Sequence, residues 1–402
     1  MTIKLFDTAQ RAVVPFEVGP VVRMYVCGIT PYDSTHLGHA ATYLTYDLLI
    51  RRLEELGHEV RMVRNVTDVD DSILPKAREL GVPYLDLAEA ELARFRSDMD
   101  ALGTRPPLAE PRATESIGGM IDMVNRLLET GHAYLTHGTV YFDVSTFPRF
   151  GEVSHYSRDH MVRLARTRGG NPDDPHRREP LDFVLWQPSL PDEPAWRAPF
   201  GVGRPGWHVE CSVMAMHELG PTIDLHGGGT DLIFPHHECE VAQSESVTGQ
   251  PFSRHWVHSA MVSYEGEKMS KSLGNLVFVS DLLKTADPRA IRLALMQHHY
   301  RAGFEWHDTD LDDGTALLHR LLAAAECENG ADPRPFAERV RNAIDTDLDA
   351  PRALEALDDL ASAVLSGGAD PTAPGVLREL GTLLGIDLAR PFTAGETGES
   401  VS

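Results

Sequence analysis

Cysteine is scarce in this chain of 402 residues: four occur, at positions 27, 211, 239 and 327. Their number and scatter exclude a disulfide framework and make a reducing cytosol the expected compartment. Long apolar runs are missing too. None approaches the roughly 18–20 residues of a membrane span, and Met1 to Asp7 carries neither the basic stretch nor the apolar core of a secretory leader. Lysine disappears after Lys284, and residues 301–402 hold eight Arg against twenty Asp plus Glu, a balance of −12. The whole chain carries −23. Such an acidic excess argues against general affinity for nucleic acid, because phosphate contacts need Lys and Arg.

What is present is the make-up of an ordinary soluble globular protein, 42% hydrophobic and 24% charged. Collagen-like and disordered classes are thereby excluded. The length accommodates two or three domains with an ample core.

Residues 21–29 read as a β-branched strand, followed by a turn at Gly28–Asp33 and a helical pattern from about Gly38 to Leu56, stopped by Gly57. A second strand over Glu59–Val66 completes a strand–helix–strand unit at the start of a mixed α/β domain. Helical patterns cover roughly 84–102 and 113–131, and a hairpin is expected over 138–153. The Pro-, Gly-, Asp- and Arg-rich stretch 166–205 predicts an insertion of loops between two halves of a core. Beyond it come a helix at His208–Leu219, a strand at Ile223–Leu225, a glycine turn at Gly227-Gly228-Gly229, a helix at Pro235–Val247 and a strand at His255–Ser263. From Asp287 onward the pattern is amphipathic helix, with a flexible tail after Leu388.

Two motifs carry chemistry. His36-Leu37-Gly38-His39 sits after a strand at the mouth of a helix, where backbone N–H groups and the helix dipole favour anions. On its own it reads equally well as an amphipathic helix that happens to start with two histidines. Lys268-Met269-Ser270-Lys271-Ser272 places two lysines among serines on a loop after a strand, suited to closing over a triphosphate. Its bland alternative is a solvated basic loop. Both together, in this order and about 230 residues apart, are far more specific than either.

The pair resembles the signatures of class I aminoacyl-tRNA synthetases. Tyr25-Val26-Cys27-Gly28-Ile29-Thr30, Gly206-Trp207-His208-Val209-Glu210-Cys211 and the run from His226 to Glu238 look like the cysteine-activating branch, and the similarity extends from Leu5 to about Leu388. The resemblance implies an α/β fold: a class I synthetase-type Rossmann catalytic core with a connective insertion, followed by a C-terminal α-helical domain. In that scheme 1–110 is the first half of the catalytic domain, 111–203 the insertion, 204–285 the second half, 286–390 the helical domain and 391–402 a flexible tail.

It also implies a metal. Cys27, Cys211, His236 and Glu240 supply S, S, N and O donors, and His236 and Glu240 are four apart, on one face of a helix. Without the resemblance, Cys27 and Cys211 read as small core residues. With it, they imply one Zn²⁺ that binds the substrate thiolate and separates cysteine from serine. Cys239 reads as a structural neighbour of the ligands and Cys327 as a packing residue. Positions matching adenylate contacts in the family are Cys27, Gly28, Ile29, Thr30, Thr42, Asn65, Val66, Thr67, Trp207, Gly229, Thr230, Asp231 and Val262. Trp207 is expected to cover the side-chain pocket and Asp231 to hold the α-ammonium. His36, His39, Lys268 and Lys271 are expected to stabilise phosphate charge, with Mg²⁺ accompanying ATP. Asp68, Asp70 and Asp71 read as turn acids capping a helix in preference to a Mg²⁺ site.

The acceptor is read from elsewhere. Cysteinyl-tRNA synthetases usually add an anticodon-reading module, whereas this chain stops after one acidic, lysine-free helical domain. The segments Thr30–Tyr43, Arg168-Gly169-Gly170-Asn171-Pro172 and Gly274–Ser280 resemble a sister family, the cysteine:glucosaminyl-inositol ligases of mycothiol biosynthesis. Thr167 and Asn171 replace acidic residues usual there, Glu240 occupies a ligand position more typical of the tRNA synthetases, and the short N-terminal extension common in the ligases is missing. The resemblance implies ATP, L-cysteine and glucosaminyl-inositol as substrates of a cytoplasmic, monomeric ligase. The alternative is a cysteinyl-tRNA synthetase charging tRNA-Cys; a third reading is a synthetase-like protein that binds without turnover.

Overall fold

A computed structural model describes residues 2–32, 35–269 and 274–393. The chain opens with an antiparallel hairpin that the pattern does not announce, β1 (Lys4–Asp7) against β2 (Ala12–Pro15). The strand–helix–strand unit follows as β3 (Val21–Ile29), α1 (Leu37–Glu55) and β4 (Glu59–Val66). Then come α2 (Ile73–Leu80), α3 (Tyr84–Ala101) and α4 (Ile117–Glu129). Of the three turn acids, Asp70 caps α2 as expected, accepting from the backbone N–H groups of Ser72 and Ile73, whereas Asp68 accepts from Thr114 and Asp71 pairs with Arg204.

The insertion departs from expectation. The hairpin foreseen at 138–153 lies earlier, β5 (Ala133–Thr136) and β6 (Thr139–Phe142), turning through His137 and Gly138 at φ 48° and 84°. After α5 (Arg158–Thr167), the stretch expected as loops carries β7 (Phe183–Gln187), β8 (Trp196–Ala198) and β9 (Gly201–Pro205). They complete an antiparallel sheet in the order β5-β6-β7-β9-β8. The Pro and Gly residues mark turns between strands of three to five residues, too short for alternation to stand out.

The core resumes with α6 (Trp207–Leu219), β10 (Leu225–Gly229), α7 (Glu238–Thr248) and β11 (Trp256–Ser259). The central sheet is parallel, ordered β11-β10-β3-β4. Gly227-Gly228-Gly229 is therefore strand and not turn. The Tyr46 ring from α1 lies where a Cβ on Gly227 would stand, 2.4 Å away, and the Tyr46 hydroxyl accepts from the Gly228 N–H at 2.6 Å. The strand expected over 255–263 breaks at Ala260–Met261 into β11 and β12 (Val262–Tyr264), which pairs with β13 (Glu267–Lys268).

The C-terminal part contains α8 (Val279–Leu282), α9 (Pro288–Met296), β14 (Phe304–Glu305), α10 (Asp308–Ala325), α11 (Arg334–Asp345), α12 (Ala350–Leu365) and α13 (Ala373–Leu383). The tail expected to be flexible falls, from 394 on, outside the described residues. Two apolar cores flank the central sheet. One joins α1 to the helical region through Leu49, Ile291 and Leu357; the other joins the sheet to the insertion through Tyr25, Phe142 and Trp186. Buried Asp47 of α1 staples the first, bonding Arg51 Nε (2.7 Å), the Arg292 guanidinium and the Arg105 N–H. Burial alone would raise its pKa, but Arg292 and Arg51 outweigh that and hold it below the ordinary carboxylate value. Among the described residues no helix is long and apolar enough to cross a membrane.

Candidate active site

The C-terminal end of β3 and the mouth of α1 meet where an α/β sheet ordinarily binds its ligand. His36 caps α1, its Nδ1 accepting from the Gly38 N–H at 3.1 Å, and its ring stacks on that of His39 with centroids 3.8 Å apart. Gly38 is required by this closeness, since a Cβ there would stand 2.9 Å from the His36 ring. Both histidines, with Gly28, Ile29 and Thr30, line a cavity of about 200 Å³. Thr42, one turn into α1, donates to the Gly38 carbonyl. Behind the wall, Asn65 Oδ1 accepts from Gly28 N–H at 2.7 Å, its amide donates to Thr67 Oγ1, and Thr67 N–H donates to the Ile29 carbonyl. Val66 is buried beside them. Gly28 also permits contact with β4: a Cβ would stand 1.7 Å from the Asn65 carbonyl oxygen.

The four expected ligands converge. Donor atoms of Cys27 on β3, Cys211 on α6, and His236 and Glu240 at the start of α7 all lie within 4.8 Å of one another, all buried. His236 belongs to the turn Ile233–His237 just ahead of α7, and Glu240 to the first turn of the helix. Burial raises the Cys27 thiol well above its ordinary value, with Cys211 adding to the shift, so a thiolate there needs a cation. Among the described residues His236 Nε2 is buried without a hydrogen-bond partner, although Glu240 Oε1 is 3.1 Å away. That orphaned nitrogen beside two thiols and a carboxylate fits a metal ion. A second set, Cys27, His226, His237 and Glu240, is equally close. In it, however, His226 Nε2 is engaged by Glu240 and both His237 nitrogens are bonded, to Cys27 Sγ (3.3 Å) and His258 Nε2 (2.8 Å). Buried Cys239 belongs to neither set, and Cys327 packs half-buried against the helical core.

Trp207 lies against this cluster, its ring stacked on that of His236 with centroids 4.1 Å apart. Trp207, Thr30 and Asp231 share a cavity of about 680 Å³ with the insertion. Thr30 also donates to Asp70 Oδ2 at 3.2 Å. Gly229 ends β10, and a Cβ there would crowd Asp231 Oδ1 at 2.6 Å; Thr230 starts the single turn that carries Asp231. Val262 is buried in β12. Lys268 falls on β13 opposite Ser263, while Lys271, with residues 270–273, lies outside the described residues.

Several contacts around the site escape the sequence reading. His208 Nδ1 contacts His236 Nδ1, and His258 links His237 to the Thr8 hydroxyl at 2.7 Å. Burial drives both His208 and His258 down to about 3, so both rings are neutral. Arg168 Nη1, half-buried, donates to the carbonyls of Asp231 and Phe234, each at 2.6 Å, tying the insertion to the turn that leads into α7. Each histidine of this group stands inside a quoted motif or on a neighbouring strand. Nothing local in the sequence shows that α6 and β11 carry them to one place.

A family model described as tRNA synthetases class I (C) catalytic domain matches residues 14–316. An L-cysteine:1D-myo-inositol 2-amino-2-deoxy-alpha-D-glucopyranoside ligase of Parafrankia sp. (strain EAN1pec) is 50% identical over 402 residues, covering 98% of this chain and 90% of its own. Ligases of the same name from Thermobispora bispora and Thermobifida fusca (strain YX) are 48% and 50% identical, covering 96% and 95% of this chain and 96% and 93% of theirs. Among solved structures, Mycobacterium tuberculosis methionyl-tRNA synthetase in complex with methionyl-adenylate superposes with TM-score 0.62 at 18% identity, over 90% of this chain and 88% of that one. That likeness shows the fold.

Proposed function

We infer the activity from kinship and site together: the chain belongs to the L-cysteine:1D-myo-inositol 2-amino-2-deoxy-alpha-D-glucopyranoside ligase family, on a class I tRNA synthetase (C) catalytic domain. It is an ATP-dependent ligase of mycothiol biosynthesis that activates L-cysteine and joins it to the amine of glucosaminyl-inositol. The observation that carries this reading is identity of about half over nearly the whole chain, helical region included. The acidic, lysine-free residues 301–402 oppose a tRNA-charging activity.

The reaction has two steps. A cysteine carboxylate oxygen attacks the α-phosphorus of ATP, the bond to pyrophosphate breaks, and cysteinyl-adenylate remains. The neutral amine of the acceptor then attacks the carbonyl carbon. Its C–N bond forms, the C–O bond to AMP breaks, and the nitrogen proton passes to water. His36 and His39 at the helix mouth, with Lys268, Lys271 and the Mg²⁺ that accompanies ATP, offset charge developing on the phosphates. Asp231 holds the α-ammonium and Trp207 closes the small pocket. Cys27, Gly28, Ile29, Thr30, Thr42, Asn65, Val66, Thr67, Gly229, Thr230 and Val262 shape the rest of the adenylate site.

We assign Zn²⁺ to Cys27, Cys211, His236 and Glu240, because two thiolates, an imidazole and a carboxylate suit that ion. When bound, it supplies a Lewis-acidic centre for which a thiolate is a far better ligand than a hydroxyl, and so separates cysteine from serine. Incubated with ATP, cysteine and glucosaminyl-inositol, the protein is expected to release AMP and the amide in equal amounts. Cysteine-dependent ATP–pyrophosphate exchange without any amide would refute the acceptor assignment.

A further inference from the structure

The cavity of about 680 Å³ has two walls. Its volume lies within the roughly 300–1,000 Å³ of small-molecule sites. The core wall, with Thr30, Trp207 and Asp231, is taken up by the adenylate in the reading above. The insertion wall, with Tyr141, Asp174 and Arg177, has no part in that step.

Chemistry on the insertion wall is polar and held in place. The Tyr141 hydroxyl donates to Asp174 Oδ2 at 2.6 Å, and Asp174 Oδ1 accepts from the His176 N–H at 3.0 Å. Tyr141 is 3% exposed and pinned in β6, so the carboxylate it orients has little freedom. The Tyr141 hydroxyl, with the His176 N–H and the Arg177 charge, outweighs burial and holds this carboxylate ionised, below its ordinary pKa. Arg177 stacks over the Tyr141 ring at 5.4 Å, donates through Nη1 to the Asp182 carbonyl, and keeps a buried Nε–H without a partner among the described residues. A carboxylate accepts from ammonium or hydroxyl groups and a guanidinium N–H donates to hydroxyl oxygens. An amino-sugar polyol offers all three. Arg168, bonded to the Asp231 and Phe234 carbonyls, fixes this wall against the one that holds the adenylate.

We propose that the amino-sugar acceptor binds against the insertion wall, held by Asp174, Tyr141 and Arg177, facing the cysteinyl-adenylate across the shared cavity. The proposal rests on the ligase reading and goes beyond it by naming the residues that select the acceptor.

The test uses the full chain, loaded with zinc, as wild type, Asp174→Asn and Tyr141→Phe, the last keeping the ring that packs in the sheet. Amide formation is measured against glucosaminyl-inositol concentration, and ATP–pyrophosphate exchange is measured without acceptor. Losing one hydrogen bond to a charged partner predicts an acceptor KM raised about tenfold or more in each variant. The cysteine KM in exchange is expected to shift by less than about twofold, so a folding defect is told apart. Unchanged acceptor KM in both variants, or exchange falling in parallel with ligation, overturns the proposal. Wild-type protein that exchanges but forms no amide overturns the ligase reading itself.

Discussion

His208 Nδ1 stands 2.9 Å from His236 Nδ1, so one ring donates its proton and the other accepts. With His236 as donor, its Nε2 keeps a lone pair, and Nε2 is the atom left, among the described residues, without a hydrogen-bond partner beside Cys27, Cys211 and Glu240. Partners behind a ligating histidine commonly contribute 10–100-fold in metal affinity, as an order of magnitude. His208→Phe keeps an aromatic ring beside Trp207 and removes the acceptor. It is expected to lose zinc at a chelator concentration at least about tenfold lower than the wild type requires. Equal retention across a chelator titration would show that His208 does not orient the ligand.

Cys211→Ala separates the two buried ligand sets, because Cys211 belongs to only one. We expect the variant to contain little zinc and to lose its preference for cysteine over serine in pyrophosphate exchange. Near-stoichiometric zinc in Cys211→Ala would place the ion among His226, His237, Cys27 and Glu240 instead.

Lys268→Ala is expected to slow adenylate formation by about 2–4 kcal/mol of transition-state stabilisation, a factor of roughly 30 to 1,000, with a much smaller effect on cysteine binding. Pre-steady-state adenylate formation at saturating ATP reads this directly. A rate within twofold of wild type, as an order of magnitude, would remove Lys268 from the catalytic set.

Asp98 in α3 gives a pH signature away from the cysteine–histidine cluster. Burial pushes its carboxyl up to about 6 from an ordinary value of 3.8, against the pull of the Thr35 hydroxyl and Arg94. Because the folded value is raised, the native state binds the proton more tightly, and the stability this contributes is lost as pH rises from 3.8 through about 6. Asp98→Asn is therefore expected to raise the thermal midpoint at pH 7.5 and to lose that advantage as pH falls toward 4. An advantage independent of pH would contradict the assignment.

How much of this was legible in the sequence depends on whether the cause was local. β3, α1 and β4 follow from apolar periodicity, and Gly57, which ends the α1 pattern, has φ 91°. Gly227-Gly228-Gly229 misleads because glycine usually marks a turn, whereas here it makes room for Tyr46, 181 positions before Gly227 in the chain. The insertion sheet is missed because its strands are short and its stability comes from tertiary burial of Phe142, Phe183 and Trp186. The residues of the metal cluster could be named because they stand within the quoted motifs or beside them. The tautomer-setting His208 contact and the Arg168 tie depend on distances between separate elements, which no spacing along the chain encodes.

This synthetase-type core delivers cysteine to a sugar amine. The most direct measurement offers the zinc-loaded protein, in one reaction with ATP and radiolabelled cysteine, equal concentrations of glucosaminyl-inositol and tRNA-Cys. Label is expected in the amide, matched by AMP, with none above background on tRNA. Label accumulating on tRNA while the sugar amine stays unmodified would contradict it.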